Sequence, residues 1–342
     1  MASPAEITAM RRALALAATP GVPLGPNPRV GCVLLDPDGG TIAEGYHRGA
    51  GHPHAEVDAL SKAGERARGA TAVVTLEPCN HTGRTGPCAD ALLAAGIARV
   101  VYAQQDGNPV ARGGGEALRD AGVEVEGGVL ADEARAVNPI WTFAVENGRP
   151  YVTWKYAATL DGRSAAADGS SRWITSPEAR ADVHRLRAEC DAILVGTGTV
   201  LADNPQLTVR DSAGGPTEHG RRPLRVVMGL RGLPADAAIV DGAADTLVLN
   251  TRDPEEALKR LLDQDCQHVL LEGGPTLAGA FLREGLVDRV IAYLAPALLG
   301  AGPAALSDAG VGAIADAIRL EITDIARVGP DVRLTAIRRE HT

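Results

Sequence analysis

Two short segments near the start of this 342-residue chain hold the side chains best suited to chemistry. In "GHPHAE" (51–56) a histidine, His54, stands two positions before an acid, Glu56. In "EPCNHTGRTGPC" (77–88) Cys79 and Cys88 lie nine positions apart. Two such thiols could be a disulfide, unrelated core residues or half of a metal site, and their step exceeds the two-residue spacing of a zinc knuckle. Taken with His54 they form a ligand set. One imidazole and two thiolates fill three corners of a tetrahedral Zn²⁺ and leave the fourth open to water. Zinc lowers the pKa of that water. A carboxylate that is not itself a ligand, here Glu56, can then carry protons from the water to a ring nitrogen and to departing ammonia. His52 and His81 compete for the imidazole position, but neither is followed two residues on by Glu.

The order H-x-E followed by P-C is that of the zinc deaminases. The elements around it fit. "RVGCVLLD" and "TIAEGY" read as strands around the turn "DPDGG". "HAEVDALSKAGERA" has apolar residues at helical spacing, and "ATAVVTLE" is a buried strand. "PCADALLAAG" opens on Pro and closes on Gly, the asymmetry of a helix. "ARVVYAQQ", "GGEALRDAG" and "VEVEGG" continue as strand, helix and strand. Helices are expected over residues 3–18 and, as one closing helix, over 131–147. "ENGRPYV" resembles a joint, giving domains 1–147 and 148–342.

Composition sets the class. Hydrophobic residues make up 45% and aromatics only 3%, so Ala, Val, Leu and Ile must build the core, which favours α/β layers. The net charge is −9 with no block of Lys or Arg, which argues against nucleic acid as a partner. Five scattered Cys do not read as an extracellular disulfide framework. "MASPAEITAMRRALALAATP" reads as an amphipathic helix interrupted by Arg11 and Arg12 rather than a signal peptide. No apolar run is long enough for a membrane span. A reducing cytoplasm is the expected location.

The second half suits a nucleotide and a phosphate. Its strands are expected in "YVTWKYAATLDG", "DAILVGTG", "PLRVVMG", "DTLVLN" and "HVLLEGG". Its helices are expected in "SPEARADVHRLRAEC", "PEEALKRLLDQD" and "PTLAGAFLREG", and "SAGGPTEHGRRP" reads as a surface loop. "AILVGTGTVLADNPQLTVR" and "VLLEGGPTLAGAFL" each run strand, Gly turn, helix, an arrangement whose backbone N–H groups can approach an anion. "GTGTVL" misses G-x-G-x-x-G at Leu201, so a Rossmann fold is not indicated. Arg187 and Arg210 can grip a phosphate. Lys155, on an otherwise apolar strand, and Asp203 are candidates to position or protonate a sugar centre.

"NPRVGCV" (27–33), "GYHRGAGHPHAE" (45–56) and "TLEPCNHTGRTGPC" (75–88) resemble the deaminase half of the bifunctional riboflavin-biosynthesis deaminase/reductase family, RibD (also called RibG). Its second metal motif, P-C-x-H-x-G-[KR]-T-P-P-C, has the same nine-residue step, and Gly86 stands where the family usually has Pro. "WKYAATLDGRSAAADGSSRWITS" (154–176), "VGTGTVLADNPQLTVR" (195–210) and "LEGGPTLAGAFL" (271–282) are similar to its reductase half. The resemblance implies a cytidine-deaminase-like αβα sandwich followed by a dihydrofolate-reductase-like domain. It implies that His54, Cys79 and Cys88 hold zinc, with Glu56 catalytic and Asn27, His47 and His81 lining the deaminase pocket. For NADPH it implies contacts from Ala157, Trp173, Thr199 and Asp203, and from Gly274, Pro275, Thr276, Leu277, Ala278, Gly279 and Ala280. Ser171, Arg187, Leu207, Arg210 and Glu272, with Lys155, would face a pyrimidine ribosyl phosphate. A homo-oligomer is also implied. The rival readings are a nucleic-acid deaminase, which would need a basic groove, and a non-catalytic relative, which would lack a ligand or Glu56.

Overall fold

The structure is a computed structural model. It describes all residues except Leu24, 83–85, 211–214, 216–221 and 340–342. Most of the expected loop "SAGGPTEHGRRP" therefore lies outside the described residues. The chain divides into two compact units, Met1–Gly148 and Arg149–Thr342.

The first unit opens with α1 (Pro4–Ala17), started by a reciprocal cap in which Ser3 Oγ accepts from the Glu6 backbone and Glu6 accepts from the Ser3 backbone. Strands β1 (Gly31–Leu35) and β2 (Thr41–Tyr46) form a hairpin, followed by α2 (Ala55–Ala63) and β3 (Thr71–Leu76). Next come α3 (Cys88–Ala94), β4 (Arg99–Gln104), α4 (Gly114–Asp120) and β5 (Glu124–Gly127). The sheet order is β2-β1-β3-β4-β5, antiparallel across β2-β1-β3 and parallel across β3-β4-β5. Alternation sorts each strand onto two cores. Cys32, Leu34, Ala72 and Val74 pack against Ala59 of α2, Leu92 of α3 and Leu118 of α4. Val33, Leu35 and Val73 pack against Met10 and Ala13 of α1 on the other face. The result is an αβα sandwich.

Residues 131–147 form two helices rather than one, α5 (Ala131–Val137) and α6 (Pro139–Asn147). Pro139 removes a helical donor and pushes the preceding residue out of the helical region, and Asn138 sits at φ −125°, ψ 47°. Its freed side chain is used elsewhere. Asn138 Oδ1 accepts from the Arg29 backbone N–H and its Nδ2 donates to the Arg29 carbonyl, both at 2.8 Å.

The second unit contains β6 (Tyr151–Thr159), α7 (Pro177–Ala188), β7 (Ala192–Gly196), α8 (Thr197–Asp203) and β8 (Leu224–Met228). It continues with β9 (Thr246–Leu249), α9 (Pro254–Leu262), β10 (His268–Leu271), α10 (Pro275–Arg283) and β11 (Arg289–Ala295). The hairpin β12 (Leu320–Val328) and β13 (Asp331–Arg338) ends it. The sheet order is β12-β13-β11-β6-β10-β7-β8-β9. Neighbours from β11 to β9 are parallel, and β13 joins antiparallel to β11. Leu258 and Leu261 of α9 and Phe281 of α10 cover one face, over Trp154, Leu194, Val226 and Leu271. Ala179 and Val183 of α7 cover Ile291 and Tyr293 on the other. Parallel strands gather their C-terminal ends along one edge, where open α/β sheets bind ligands.

Candidate active sites

In the first unit three loops meet. His54 is the N-cap of α2, in extended backbone, and Cys88 is the first residue of α3. Cys79 lies three residues beyond β3. His54 Nδ1 stands 3.2 Å from Cys88 Sγ and 3.6 Å from Cys79 Sγ. Zn–N bonds of about 2.0 Å and Zn–S bonds of about 2.3 Å in a tetrahedron put N and S about 3.5 Å apart. The three ligand atoms thus already fit a zinc ion, and all lie within 4.8 Å of one another. Among the described residues no other group of His, Cys, Asp and Glu side chains does so. The Cys88 backbone N–H donates to Cys79 Sγ at 3.3 Å. Hydrogen bonding from Cys88, then from His54, lowers the pKa of Cys79. The two thiols share one hydrogen-bonded site, and hydrogen bonding with Cys79, then burial, raises the pKa of Cys88. His52, one of the two competitors, is not part of the cluster.

Glu56 is buried in the first turn of α2, and burial pushes its carboxyl up to about 6. His47 is fixed on both sides of its ring. Nδ1 lies 2.9 Å from the Pro53 carbonyl, and Nε2 lies 3.0 Å from Asn27 Nδ2. The carbonyl can only accept and the amide nitrogen only donate, so the ring carries its proton on Nδ1. Burial lowers the His47 pKa, which favours the neutral ring. Its ring centroid is 5.2 Å from that of His54. His81 Nδ1 is buried without a hydrogen-bond partner among the described residues.

Sequence reading missed two carboxylates here. Glu77 accepts from the backbone N–H groups of Gly115 (3.0 Å) and Asp106 (3.2 Å), tying the zinc loop to the loop after β4. Asp106 is buried, and burial pushes its carboxyl up to about 6. The available signal was an acid at or just after the C-terminal end of each of two adjacent parallel strands. At Gly114 a β-carbon would overlap the Pro78 carbonyl, one residue before Cys79. A β-carbon at Gly86 would meet nothing within 4 Å among the described residues.

In the second unit, a cavity of about 650 Å³ shares its lining with another of about 900 Å³. Lys155, Ala157, Ser171, Thr199, Asp203 and Glu272 line both. Trp173, Arg187, Leu207 and Arg210 line the first, while Gly274, Pro275, Thr276, Leu277 and Ala280 line the second. Ala278 and Gly279 lie inside α10 and face away: Ala278 joins the core, and a β-carbon at Gly279 would overlap the Asp308 carbonyl. The larger cavity suits a dinucleotide. α8 and α10 both begin on it without a side-chain cap from their N-cap glycines, which turns the positive end of each helix toward this cavity.

Glu272 anchors the smaller cavity. Arg187 donates to it from Nε (2.6 Å) and Nη2 (2.9 Å), and Lys155 Nζ lies 4.0 Å away. Burial alone would raise this carboxyl, but Arg187 and then Lys155 bring it to about 2. Burial lowers Lys155 against the pull of Glu272. Arg187 also donates from Nη1 to the Thr208 carbonyl at 3.1 Å. Its fork is therefore committed, and of the two expected phosphate-binding arginines Arg210 keeps the freer head. Residues 180, 184 and 187 share one face of α7: Arg180 stacks over Trp173, 4.4 Å from the ring centroid, and His184 Nδ1 accepts from the Arg210 backbone at 3.2 Å. The i, i+4, i+7 spacing made Arg180 and His184 legible beforehand.

Comparison with known proteins finds relatives for both halves of the chain. Residues 4–104 match the cytidine and deoxycytidylate deaminase zinc-binding region, and residues 150–334 match the RibD C-terminal domain. The chain is 50% identical over 316 residues to the riboflavin biosynthesis protein RibD of Mycobacterium tuberculosis, covering 92% of each. It is 44% identical to that of Escherichia coli, over 95% of this chain and 97% of that one. The Acinetobacter baumannii RibD structure superposes with a TM-score of 0.88 at 41% identity, covering 98% of this chain and 99% of that one. The Thermotoga maritima diaminohydroxyphosphoribosylaminopyrimidine deaminase/5-amino-6-(5-phosphoribosylamino)uracil reductase gives 0.82 at 34%, with the same coverage. The chain belongs to the RibD family of bifunctional riboflavin-biosynthesis enzymes, a zinc deaminase joined to an NADPH-dependent reductase.

Proposed function

We propose that this chain performs two consecutive steps on one small molecule. The first unit removes the 2-amino group of 2,5-diamino-6-ribosylamino-4(3H)-pyrimidinone 5′-phosphate by hydrolysis, releasing ammonia. The second reduces the ribosyl group to ribityl, giving 5-amino-6-ribitylaminouracil 5′-phosphate. The observation that carries the first step is the convergence of His54, Cys79 and Cys88 beside the buried Glu56.

Bound zinc, held by those three ligands, supplies a water of lowered pKa. Glu56 takes a proton from the attacking water and passes protons to the ring nitrogen and the leaving ammonia. Its burial excludes bulk solvent from that exchange. His47 and Asn27 form a fixed wall, because each holds the other in one orientation.

NADPH supplies the hydride for the second step. Lys155, held beside Glu272, protonates the sugar oxygen as the ring opens, and Asp203 and Ser171 position the sugar. Arg210 takes the phosphate, while Arg187 contributes charge and holds Glu272. Thr199 and the α10 N-terminus hold the dinucleotide, with Ala157 and Trp173 beside it.

No helix among the described residues is long and apolar enough to cross a membrane. Cys32, Cys79, Cys88 and Cys190 are buried thiols, which supports a reducing cytoplasm. Exposed Ile322 and Ile325 on the edge strand β12 support a homo-oligomer. The deciding experiment supplies the diaminopyrimidine phosphate and NADPH and follows ammonia release and NADPH consumption separately. Purified protein without stoichiometric zinc, or without ammonia release, would sink the first assignment.

A further inference from the structure

Arg210 is fastened at both ends. Its backbone N–H donates to His184, and its Nη2 donates to Gln206 Oε1 at 2.5 Å. Gln206 in turn donates from Nε2 to Asp241 Oδ2 at 2.5 Å. The other oxygen of Asp241 accepts from Arg225 Nη1 and from the Ala243 backbone, both at 2.9 Å. Arg225 is fully buried on β8 and also donates to the Gln206 carbonyl (3.2 Å) and to the Ala244 carbonyl (2.5 Å). The chain of contacts thus runs from a buried cation, through a carboxylate and an amide, to the exposed guanidinium at the cavity.

The charges at its two ends set the amide's direction. A cation on one side calls for the carbonyl, and an anion on the other calls for the NH₂. Glutamate would meet Asp241 with like charge, and lysine would meet Arg210 with like charge. A neutral side chain with a donor and an acceptor at one end is what the place requires. An exposed arginine otherwise samples many rotamers, whereas a bidentate grip on phosphate needs the fork held in one plane.

We propose that Gln206 is a positioning residue for phosphate recognition in the reductase: it aims Arg210 into the substrate cavity from a base formed by Asp241 and the buried Arg225. This rests on the assignment of Arg210 to the phosphate. Gln206 stabilises the grip on the phosphate, not the movement of hydride, so its loss weakens substrate binding and leaves kcat in place.

The test is reductase kinetics of the full-length enzyme with NADPH, using 5-amino-6-ribosylaminouracil with and without its 5′-phosphate. Gln206→Met keeps the length and removes both hydrogen bonds. It raises KM for the phosphorylated substrate by about tenfold, the loss of one hydrogen bond to a charged group. It leaves kcat and the KM of the unphosphorylated compound unchanged. The double variant Gln206→Met, Arg210→Ala equals Arg210→Ala alone, because the first residue acts through the second.

Gln206→Glu supplies a second readout. Once protonated, the carboxyl donates to Asp241 and accepts from Arg210 as the amide did, so its KM relative to wild type recovers as pH falls. The charged or titratable groups around this pair are Asp241, Arg225 on β8, and Arg187 and His184 on α7, and the wild-type ratio cancels their titration and that of the phosphate. An unchanged KM in Gln206→Met beside a raised KM in Arg210→Ala overturns the proposal and spares the phosphate assignment. Additive losses in the double variant overturn it too. An unchanged KM in Arg210→Ala overturns the phosphate assignment, and the proposal with it. Where Gln206→Met does not fold, absence of acid recovery in Gln206→Glu is decisive against it.

Discussion

Arg187 meets Glu272 with two parallel hydrogen bonds, at 2.6 and 2.9 Å, inside the reductase unit. The pair is largely but not fully buried, its side chains 14% and 8% exposed, and Lys155 stands beside it. Removing the carboxylate charge leaves two cations in low dielectric. Glu272→Gln is expected to cost about 3–5 kcal/mol of the second unit's stability, read by urea denaturation, and to abolish reduction while ammonia release continues.

The same carboxylate gives that unit an acid limit. Its folded pKa of about 2 lies below the ordinary glutamate value. The stabilisation is therefore full above the unfolded pKa of about 4.3 and is lost as pH falls from there toward 2. Thermal midpoints of the wild type should drop over that window. Those of Glu272→Gln should drop less, and equal drops would remove Glu272 as a cause.

Zinc should follow the cysteines. Cys88→Ala takes away one of the three clustered ligands. The purified variant is expected to lose stoichiometric zinc by elemental analysis and to lose deamination, while still reducing the deaminated intermediate. Full zinc content in this variant would place the metal elsewhere.

Glu56→Gln separates binding from chemistry. The amide keeps the shape of a residue that is not a ligand, so zinc stays. Deamination falls by about 10²–10⁴-fold, the usual contribution of a positioned acid–base group. Retained ammonia release would refute the proton-carrying role.

Gly114→Ala tests the seat of the zinc loop. Its new methyl group would press on the Pro78 carbonyl. Overpacking of this kind costs about 1–3 kcal/mol, and here part of that cost should appear as weaker zinc binding, measured by competition with a chelator.

The zinc centre was legible because its four key residues belong to two short motifs, each at an element boundary that periodicity could place. Strands such as β2 and β3 were legible for the same reason. What escaped was set by contacts between distant segments. Nothing local marks Gln206, whose meaning lies in Asp241 and Arg225. The commitment of Arg187 to Glu272 joins residues 85 positions apart, and so the expectation that its fork would hold phosphate could not be checked from spacing. The strands after residue 285 were not anticipated. Pro139 could have warned of the break in the expected helix 131–147, but apolar residues continued across it.

That break has a use. By leaving the helix, Asn138 clasps the backbone of Arg29 from 109 positions away, two residues from Asn27, the partner of His47. The match to the deaminase zinc-binding region ends at residue 104, so a fragment trimmed to it would contain every zinc ligand and still lack the clasp. The shortest excision that keeps this clasp must run past Asn138, and it is the junction of α5 and α6, which holds no catalytic group, that decides where this deaminase can be cut free.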